Sequence, residues 1–377
     1  MNFHSFVYCT IGTRPQIEAG MAGKKPELYQ NMLEEIGEYA RYCDDIGFTG
    51  FGHPEHHLEI EGLEVANEPG LLSMFIGMQT KKLRVDLFGY ALPGHNPLRV
   101  AEHVATLDHM LKGRLNVAFV RGYQERWLRC LATKPGLTGV GPWNKKDPAD
   151  VINREYYEES IAVIKKAWAN DTFSHKGKYW NFPPENLVNP HEQPTYLKYG
   201  QGVDEDYTIR EVGIAPKTYQ QPHPPLYSGF TASMTTALYW AKEGGKPVVL
   251  GDNLEFCKTI WNAYRQEAER HGREIPYGEE AAWGGYLILA DTDEEAQEWA
   301  KDAYWMWDNW ALGFGMPYPA MIIGGPETVK RRIREAREAV PFNECFFLLG
   351  QGILGRDKVM KTLDLFANKV MPEFVDM

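Results

Sequence analysis

The stretch GHPEHHLE, residues 52–59, concentrates side chains that can take part in proton chemistry. It places Glu55, His56 and His57 side by side, shortly after His53. Because imidazole titrates near neutral pH, a histidine at the end of a strand can stabilise a reacting oxygen or exchange a proton with it. The cluster is therefore a candidate catalytic site. Two alternatives are a metal site and histidines that only hydrogen-bond loop carbonyls.

A metal site would need further ligands from other strands. The fourth, fifth, sixth and eighth predicted strands end in VRG, SGF, VLG and LLG, which supply no His, Asp or Glu. A catalytic zinc ion, for example, takes such side chains as its protein ligands. We therefore predict no metal site in this chain.

Arg121 follows the fourth predicted strand, in the sequence VRGYQE. A guanidinium there can bind a phosphate group through its planar fork, and the adjacent glycine leaves the chain flexible. Arg121, Gly122 and Tyr123 are therefore candidate cofactor-binding residues. The alternative is an arginine paired with a nearby carboxylate, and spacing alone does not separate the two.

A second candidate anion site follows the fifth predicted strand, in the sequence YSGFTASMTT. A glycine followed by hydroxyl residues at a helix start offers backbone N–H groups and hydroxyls to an anion. The candidates are Gly229, Phe230, Thr231 and Ser233. Ordinary helix capping explains Thr231 or Ser233 equally well. Together, the segments after strands four and five could hold one phosphate group.

The elements that must position these residues alternate regularly along the chain. Apolar runs at 3–8, 48–52, 83–90, 115–120, 225–230, 247–250, 282–290 and 344–349 predict strands. Amphipathic patterns at 28–46, 69–79, 97–111, 154–169, 232–242, 254–271, 327–339 and 356–369 predict helices. Such repeated βα units predict a closed (β/α)8 TIM barrel, with residues 1–377 as one domain. An open doubly wound sheet is less favoured, because no G-x-G-x-x-G turn follows Tyr8.

Three stretches are longer than ordinary loops and are predicted insertions. They are residues 132–150 after strand four, residues 171–223 between helix four and strand five, and a segment after strand seven. The second contains HKGKYWNFPP, which predicts a β-hairpin, and the third combines a helical pattern at 293–310 with the loop GFGMPYPAMIIGG. In a barrel, loops after strands lie on the catalytic face. The first and third insertions should therefore cover the site.

Composition limits the partners and the compartment. The 377 residues include 51 acidic and 40 basic side chains, a formal charge of -11 that disfavours nucleic acid and anionic membranes. The five cysteines form no C-x-x-C pair, and no segment is typical of a signal peptide or a membrane span. We predict a cytoplasmic protein.

The run from Ala91 to Tyr123, ALPGHNPLRVAEHVATLDHMLKGRLNVAFVRGY, resembles the central segment of bacterial luciferase-like flavin monooxygenases. It carries their L-P-x-H-x-P, R-x-A-E, T-L-D, G-R and R-G-x signals in order. GHPEHHL resembles the segment after their second strand, and HKGKYWNFP resembles their hairpin. The resemblance covers most of the chain from strand two to strand five and identifies a superfamily rather than a substrate.

The resemblance implies a barrel that takes reduced flavin mononucleotide (FMN) from a separate flavin reductase. A flavin 4a-peroxide formed with dioxygen would then oxygenate a small hydrophobic organic substrate. His56, with His57 beside it, would be catalytic. Arg121 would bind the flavin phosphate together with Thr231 and Ser233. Gly89 stands where luciferases have a non-proline cis peptide against the flavin ring.

The sequence departs from the family pattern at two positions, and two other functions remain as alternatives. Val120 replaces a reactive cysteine of the luciferases and Phe230 replaces a glutamate, so light emission is not implied. A related branch uses a reduced deazaflavin for hydride transfer, and a non-catalytic flavin-binding barrel is the alternative from another class. Apolar residues on more than one face of the second and third predicted helices indicate a homodimer, although an insertion that packs on these helices would give the same pattern.

Overall fold

The computed structural model describes residues 1–141 and 147–374. The strands are β1 Asn2–Val7, β2 Gly50–His53, β3 Arg84–Ala91, β4 Leu115–Val120, β5 His175–Lys176, β6 Asn181–Phe182, β7 Leu226–Ser228, β8 Lys246–Leu250, β9 Ala282–Leu289, β10 Ala320–Gly324 and β11 Glu344–Leu349. The helices are α1 Arg14–Glu18, α2 Pro26–Ile46, α3 Pro69–Gln79, α4 Pro97–Met110, α5 Glu125–Leu131, α6 Ala149–Ala169, α7 Pro194–Tyr199, α8 Met234–Glu243, α9 Leu254–Arg270, α10 Asp293–Asn309, α11 Pro326–Ala339 and α12 Arg356–Leu365.

Eight parallel strands close into a barrel, which confirms the predicted TIM barrel. The strands β1, β2, β3, β4, β7, β8, β9 and β11 are paired in that order, and β11 returns to pair with β1 along its whole length. Most of their residues are buried. Helices on the outside and side chains on the inside cover both faces, which explains why the strands read as continuous apolar runs.

A ninth parallel strand, β10, was not predicted. It pairs with the C-terminal half of β9, from Ala320 opposite Gly285 to Gly324 opposite Leu289. The segment AMIIG has the apolar character of a strand, but prolines before it and glycines after it favoured a loop. The expectation that this part of the third insertion is a loop was therefore wrong.

The other insertions follow the sequence more closely. The extra helix after β9 is present as α10, and the predicted hairpin is formed by β5 and β6. Helix α6 begins at Ala149, five residues earlier than the pattern at 154–169 indicated. The first insertion, 132–150, includes residues 142–146, which lie outside the described residues.

The outer helices pack on the barrel through apolar stripes. In α2 the buried residues recur at helical spacing, at Leu28, Met32, Ile36, Ala40 and Cys43, so that one face meets the strands. The helix begins with a proline in its first turn and ends at a glycine with φ 87°. No helix in the described residues is long and apolar enough to cross a membrane.

Side chains fill the N-terminal half of the barrel. His4 stacks on Phe346 with ring centroids 4.2 Å apart and bonds Asp86 at 2.7 Å. Asn116 donates to the same carboxylate at 2.6 Å. A Cβ at Gly50 would lie 2.2 Å from Asp86, so glycine leaves room for this network. The ends of the strands above it carry the candidate site.

Candidate active site

A cavity of about 490 Å³ lies at the C-terminal ends of the barrel strands. Binding sites for small molecules and cofactors have volumes of this order. Of the ten predicted site residues, eight line it: His56, Gly89, Arg121, Gly122, Tyr123, Gly229, Phe230 and Thr231. The structure therefore brings the candidate histidine and the candidate arginine to one cavity, although they lie 65 positions apart in sequence.

His56 forms part of the cavity wall and is only 7% exposed. Its backbone N–H donates to the carbonyl of Ala66 at 2.9 Å, which anchors the loop after β2. Its ring meets that of Tyr123 edge to face, with centroids 5.5 Å apart. The ring Nδ1 is buried and has no hydrogen-bond partner in the described chain, and Glu64 Oε2 lies 3.7 Å from it.

His57 does not line the cavity, in contrast to its predicted catalytic role. Its Nε2 bonds Glu55 Oε1 at 2.8 Å, and its ring packs against Trp127 with centroids 5.2 Å apart. Of the two neighbouring histidines, only His56 lines the cavity. The structure assigns that position to His56.

Glu55 is a buried carboxylate that organises the wall beside His56. Its Oε1 bonds His57 and, at 2.6 Å, His95 Nε2, while Oε2 accepts the backbone N–H of Ala91 at 2.8 Å. Burial alone would raise the pKa of Glu55, but these hydrogen bonds lower it to about 2. The partner His95 would lose basicity through burial, yet its bond to Glu55 raises its pKa. The carboxylate is therefore ionised and paired.

His53, the first histidine of the cluster, supports the strand end rather than the cavity. Its Nε2 bonds Ser73 Oγ at 2.9 Å and its Nδ1 bonds the Pro54 carbonyl at 3.0 Å. Burial lowers the pKa of His53 to about 4, so the ring is neutral at physiological pH. It matches the alternative of a histidine that hydrogen-bonds its surroundings.

Glu64 was not predicted as a site residue, yet it lies behind His56. It is 2% exposed and accepts hydrogen bonds from Gln124 Nε2 at 2.6 Å and Trp310 Nε1 at 2.9 Å. The hydroxyl of Tyr123 donates to both of its oxygens at 3.2 Å. In the sequence it is one of three glutamates in LEIEGLE, and no pattern there distinguishes the carboxylate behind His56 from the other two.

Arg121 also lines the cavity. Its Nη1 donates to Asp150 Oδ1, the pairing that the sequence left open as an alternative to phosphate binding. Asp150 also lies 3.6 Å from Arg154 Nη2, and Arg154 lines the same cavity. Two guanidinium groups thus face one region of the cavity. Arg154 was missed because its spacing is that of an ordinary surface position of α6.

The hydroxyl residues after β7 divide into two groups. Thr231 lines the cavity, and its Oγ1 donates to Ser228 Oγ at 2.8 Å. Ser233 is the N-cap of α8, where its Oγ accepts the N–H of Thr236 at 3.3 Å, and it does not line the cavity. The capping alternative therefore describes Ser233, and Thr236 and Tyr239 are the hydroxyl residues that reach the cavity from this helix.

The backbone around Gly89 and Phe230 has unusual geometry. The Phe88–Gly89 peptide bond is cis, as the resemblance implied. A Cβ at Gly89 would lie 2.0 Å from the Ala118 carbonyl oxygen, so the close approach of β3 and β4 requires glycine. Phe230 has φ 47°, and its ring meets Phe6 with centroids 5.0 Å apart below the cavity.

The end of α10 and the segment after it line part of the cavity with aromatic and apolar side chains. Trp307, Met316 and Tyr318 line the cavity, and Trp307 Nε1 donates to the Pro317 carbonyl at 3.1 Å. Trp307 also meets Tyr8 from the end of β1, with ring centroids 6.0 Å apart. The third insertion therefore lies over the site, as predicted.

The described residues contain no group of three or more His, Cys, Asp or Glu side chains arranged to hold a metal ion. The histidines of GHPEHHLE illustrate the reason, because His53 and His57 are engaged with Ser73 and Glu55 respectively. The arrangement instead combines one imidazole, two guanidinium groups and apolar walls. Such a cavity can bind a flat, phosphorylated cofactor and a small apolar molecule.

The sequence profile described as "Luciferase-like monooxygenase" matches residues 1–320. The chain is 23% identical over 327 residues to the 3,6-diketocamphane 1,6-monooxygenase of Pseudomonas putida, a match that covers 79% of this chain and 81% of that relative.

Two solved structures share the barrel fold. One is the oxygenating constituent of 3,6-diketocamphane monooxygenase from Pseudomonas putida, a type II Baeyer-Villiger monooxygenase in complex with FMN. It has a TM-score of 0.71 and 19% identity, and the match covers 92% of this chain and 94% of that chain. The other is an F420-dependent secondary alcohol dehydrogenase in complex with an F420-acetone adduct, with a TM-score of 0.65, 15% identity and 98% coverage of both chains.

Proposed function

Because the chain belongs to the luciferase-like monooxygenase family, we propose that it is the oxygenase component of a two-component flavin monooxygenase. It would take reduced FMN from a separate flavin reductase and use dioxygen to oxygenate a small hydrophobic organic substrate. The observation that carries the proposal is that His56 and Arg121 line one cavity at the C-terminal ends of the strands.

The residues of the cavity fit FMN. Arg121 and Arg154 offer planar donor groups to a phosphate, and Thr231 and Thr236 supply hydroxyls to the same cavity. His56 and the apolar walls are suited to a flavin ring. When bound, reduced FMN supplies the electrons that activate dioxygen.

His56 would act on protons and oxygen at the ring end of the cavity. With Nδ1 buried, Nε2 is the nitrogen through which it would donate a proton to a developing oxyanion or accept one. Glu55 is ionised but already bonded to His57, His95 and a backbone N–H, so it supports the wall instead of exchanging protons.

The apolar side of the cavity favours a hydrophobic substrate and excludes water. Its lining includes Val140, Phe256, Trp307, Met316 and Tyr318. Excluding water matters for oxygen activation by a flavin, because release of hydrogen peroxide competes with oxygen transfer. The substrate would therefore enter beside the segment after α10.

The assay is oxygen transfer under ¹⁸O₂, with FMN, a flavin reductase and a panel of cyclic ketones, aldehydes, sulfides and phenols. We expect oxygen uptake above the reductase background and one ¹⁸O atom in the product. Loss of turnover in His56→Ala with flavin affinity retained would exclude the non-catalytic flavin-binding alternative. If no member of the panel is oxygenated and the chain instead transfers a hydride from reduced F420 to a carbonyl compound, the deazaflavin alternative replaces the proposal.

We also propose that the chain forms a homodimer and that it is located in the cytoplasm. Helix α3 exposes Leu71 and Met78 by 71% and 78%, which supports a homodimer formed through this region. All five cysteines are unpaired, which supports the cytoplasm as the compartment. Light scattering of the purified chain tests the dimer directly.

A further inference from the structure

We infer that Glu64 is a positioning residue that holds the proton of the neutral His56 ring on Nδ1 and thereby presents an unprotonated Nε2 to the cavity. The inference rests on the proposed function only for what Nε2 does with a bound molecule. The placement of the proton is a property of the chain alone.

The first step is that Glu64 has a fixed orientation. Its carboxylate accepts hydrogen bonds from Tyr123, Gln124 and Trp310, three donors from two different parts of the chain. Because every one of these partners donates, the site favours an acceptor-only carboxylate over a protonated acid or an amide.

The second step is the buried edge of the His56 ring. Nδ1 is closed off from solvent, has no hydrogen-bond partner in the described residues and lies 3.7 Å from Glu64 Oε2. That separation is too long for a direct hydrogen bond but short for electrostatics in a buried region. An N–H directed at the carboxylate is attracted to it, whereas a lone pair there is repelled. A neutral imidazole in water favours the proton on Nε2, so the protein reverses the usual preference.

The third step is that few other charges compete near Glu64. Burial, reinforced by Glu64, raises the pKa of Tyr8, Cys9 and Tyr123, so these groups stay neutral. Burial also raises the pKa of Glu59 to about 7, against the effect of its partner Arg126. In the described residues, Glu64 is the carboxylate that lies within 4 Å of a His56 ring nitrogen, and it therefore decides the polarity of that ring.

The consequence for chemistry is a defined acceptor in the cavity. With Nδ1 protonated, Nε2 can take a proton from a bound molecule, and the resulting imidazolium is stabilised by Glu64. Trp310 comes from the segment that covers the cavity, so the carboxylate also connects the position of that segment to His56.

The test is ¹⁵N NMR of the full chain labelled at histidine nitrogens, without any cofactor, read at the high-pH end of a titration, where the ring is neutral. The His56 signals are assigned by their loss in His56→Asn. We expect the wild-type neutral ring to carry its proton on Nδ1 and Glu64→Gln to move the equilibrium towards Nε2–H. Glu61→Gln removes an exposed carboxylate from the same loop and should leave the His56 signals unchanged.

A wild-type ring protonated on Nε2 would overturn the inference without the need for any variant, even if Glu64→Gln does not fold. An unchanged tautomer in folded Glu64→Gln would also overturn it. In the oxygenation assay, Glu64→Gln should lower kcat about 10- to 100-fold with flavin affinity changed less than about threefold. If the tautomer is as expected but His56→Ala keeps full turnover, the proposed role of His56 fails while the positioning by Glu64 stands.

Discussion

The surroundings of His56, here called the histidine side of the cavity, and those of Arg121, called the arginine side, are held in different ways. On the histidine side, Glu55 and Glu64 are buried and each accepts several hydrogen bonds from fixed donors. On the arginine side, Arg121 is held by Asp150, a partly exposed carboxylate at the start of α6. The first arrangement is complete within the chain. The second arrangement contains a pair that an incoming anion can replace.

This difference matches the tasks that the two sides would perform. A group that exchanges a proton must be in place before the reaction, and buried hydrogen bonds provide that order. A group that binds and releases an anionic cofactor needs a partner of similar chemistry in the empty state, and the Asp150 carboxylate resembles one arm of a phosphate. The histidine side should therefore govern turnover and the arginine side affinity.

The largest expected effect is on turnover in His56→Ala. We expect kcat for oxygenation to fall about 10²- to 10⁴-fold, the range for loss of a proton-transfer group, while the Kd for reduced FMN changes less than about threefold. The control is His103→Ala, a change on the outer helix α4. Equal losses of turnover and flavin binding would show that the histidine side governs affinity as well as turnover.

The next effect is the pH dependence of stability on the histidine side. The pKa of His53 is about 4 in the folded chain and 6.5 in the reference state. Between these values the unfolded chain binds a proton that the folded chain does not, so the free energy of unfolding falls as the pH drops through this window. From about pH 7.5 to 4.5 the loss is on the order of 3 kcal/mol.

Urea unfolding of the wild type and His53→Gln over this pH range measures that contribution. The variant should lose less stability than the wild type on acidification, although it is less stable at neutral pH because it loses its fit to Ser73. His191→Gln, a change at an exposed histidine, should follow the wild-type curve. If the free energy of unfolding of His53→Gln fell with pH as steeply as that of the wild type, His53 would not be neutral and buried in the folded chain.

On the arginine side, Arg121→Ala should weaken FMN binding without affecting riboflavin, which has no phosphate. Loss of a charge-assisted hydrogen bond corresponds to about 1.5–3 kcal/mol, or roughly a 10- to 150-fold increase in Kd. Anaerobic fluorescence titration with both flavins checks this. Arg126→Ala is the matched control, since Arg126 is paired with Glu59 and Glu61 outside the cavity. Equal weakening for both flavins would argue against a phosphate contact.

The smallest effect is expected for Asp150→Asn. Removing the competing carboxylate should tighten FMN binding by up to about fivefold, because a partly exposed ion pair contributes about 1 kcal/mol or less. The same titration measures it. Weaker FMN binding would mean that Asp150 orients Arg121 for the phosphate. The arginine side would then be as fixed as the histidine side, and the comparison between them would no longer hold.

The barrel could be predicted from sequence because its signal is repeated and local. Each strand is a buried apolar run and each outer helix has one apolar face, so eight units support one another. The strand β10 was missed because its five residues are flanked by Pro319 and Gly325, which are typical of loops. The segment forms a strand because it pairs with β9, from Gly285 onwards, and the local sequence does not show this pairing.

The site could be predicted only in part, because side-chain direction depends on the assembled fold. From the residue types and their positions at strand ends, His56 and Arg121 could be expected in one cavity. The sequence does not show that His57 faces Glu55 or that Ser233 caps a helix. Glu64 could not be recognised because its hydrogen-bond partners include Trp310, which is 246 positions away in sequence. Long-range partners of this kind leave no pattern within a single loop.

The most direct test of the central claim is a crystal structure of the chain in complex with FMN. We predict the phosphate within about 3 Å of the Arg121 guanidinium, in the place of the Asp150 carboxylate, and the flavin ring beside His56. A flavin bound outside this cavity, or one whose phosphate lies on the histidine side, would contradict the account.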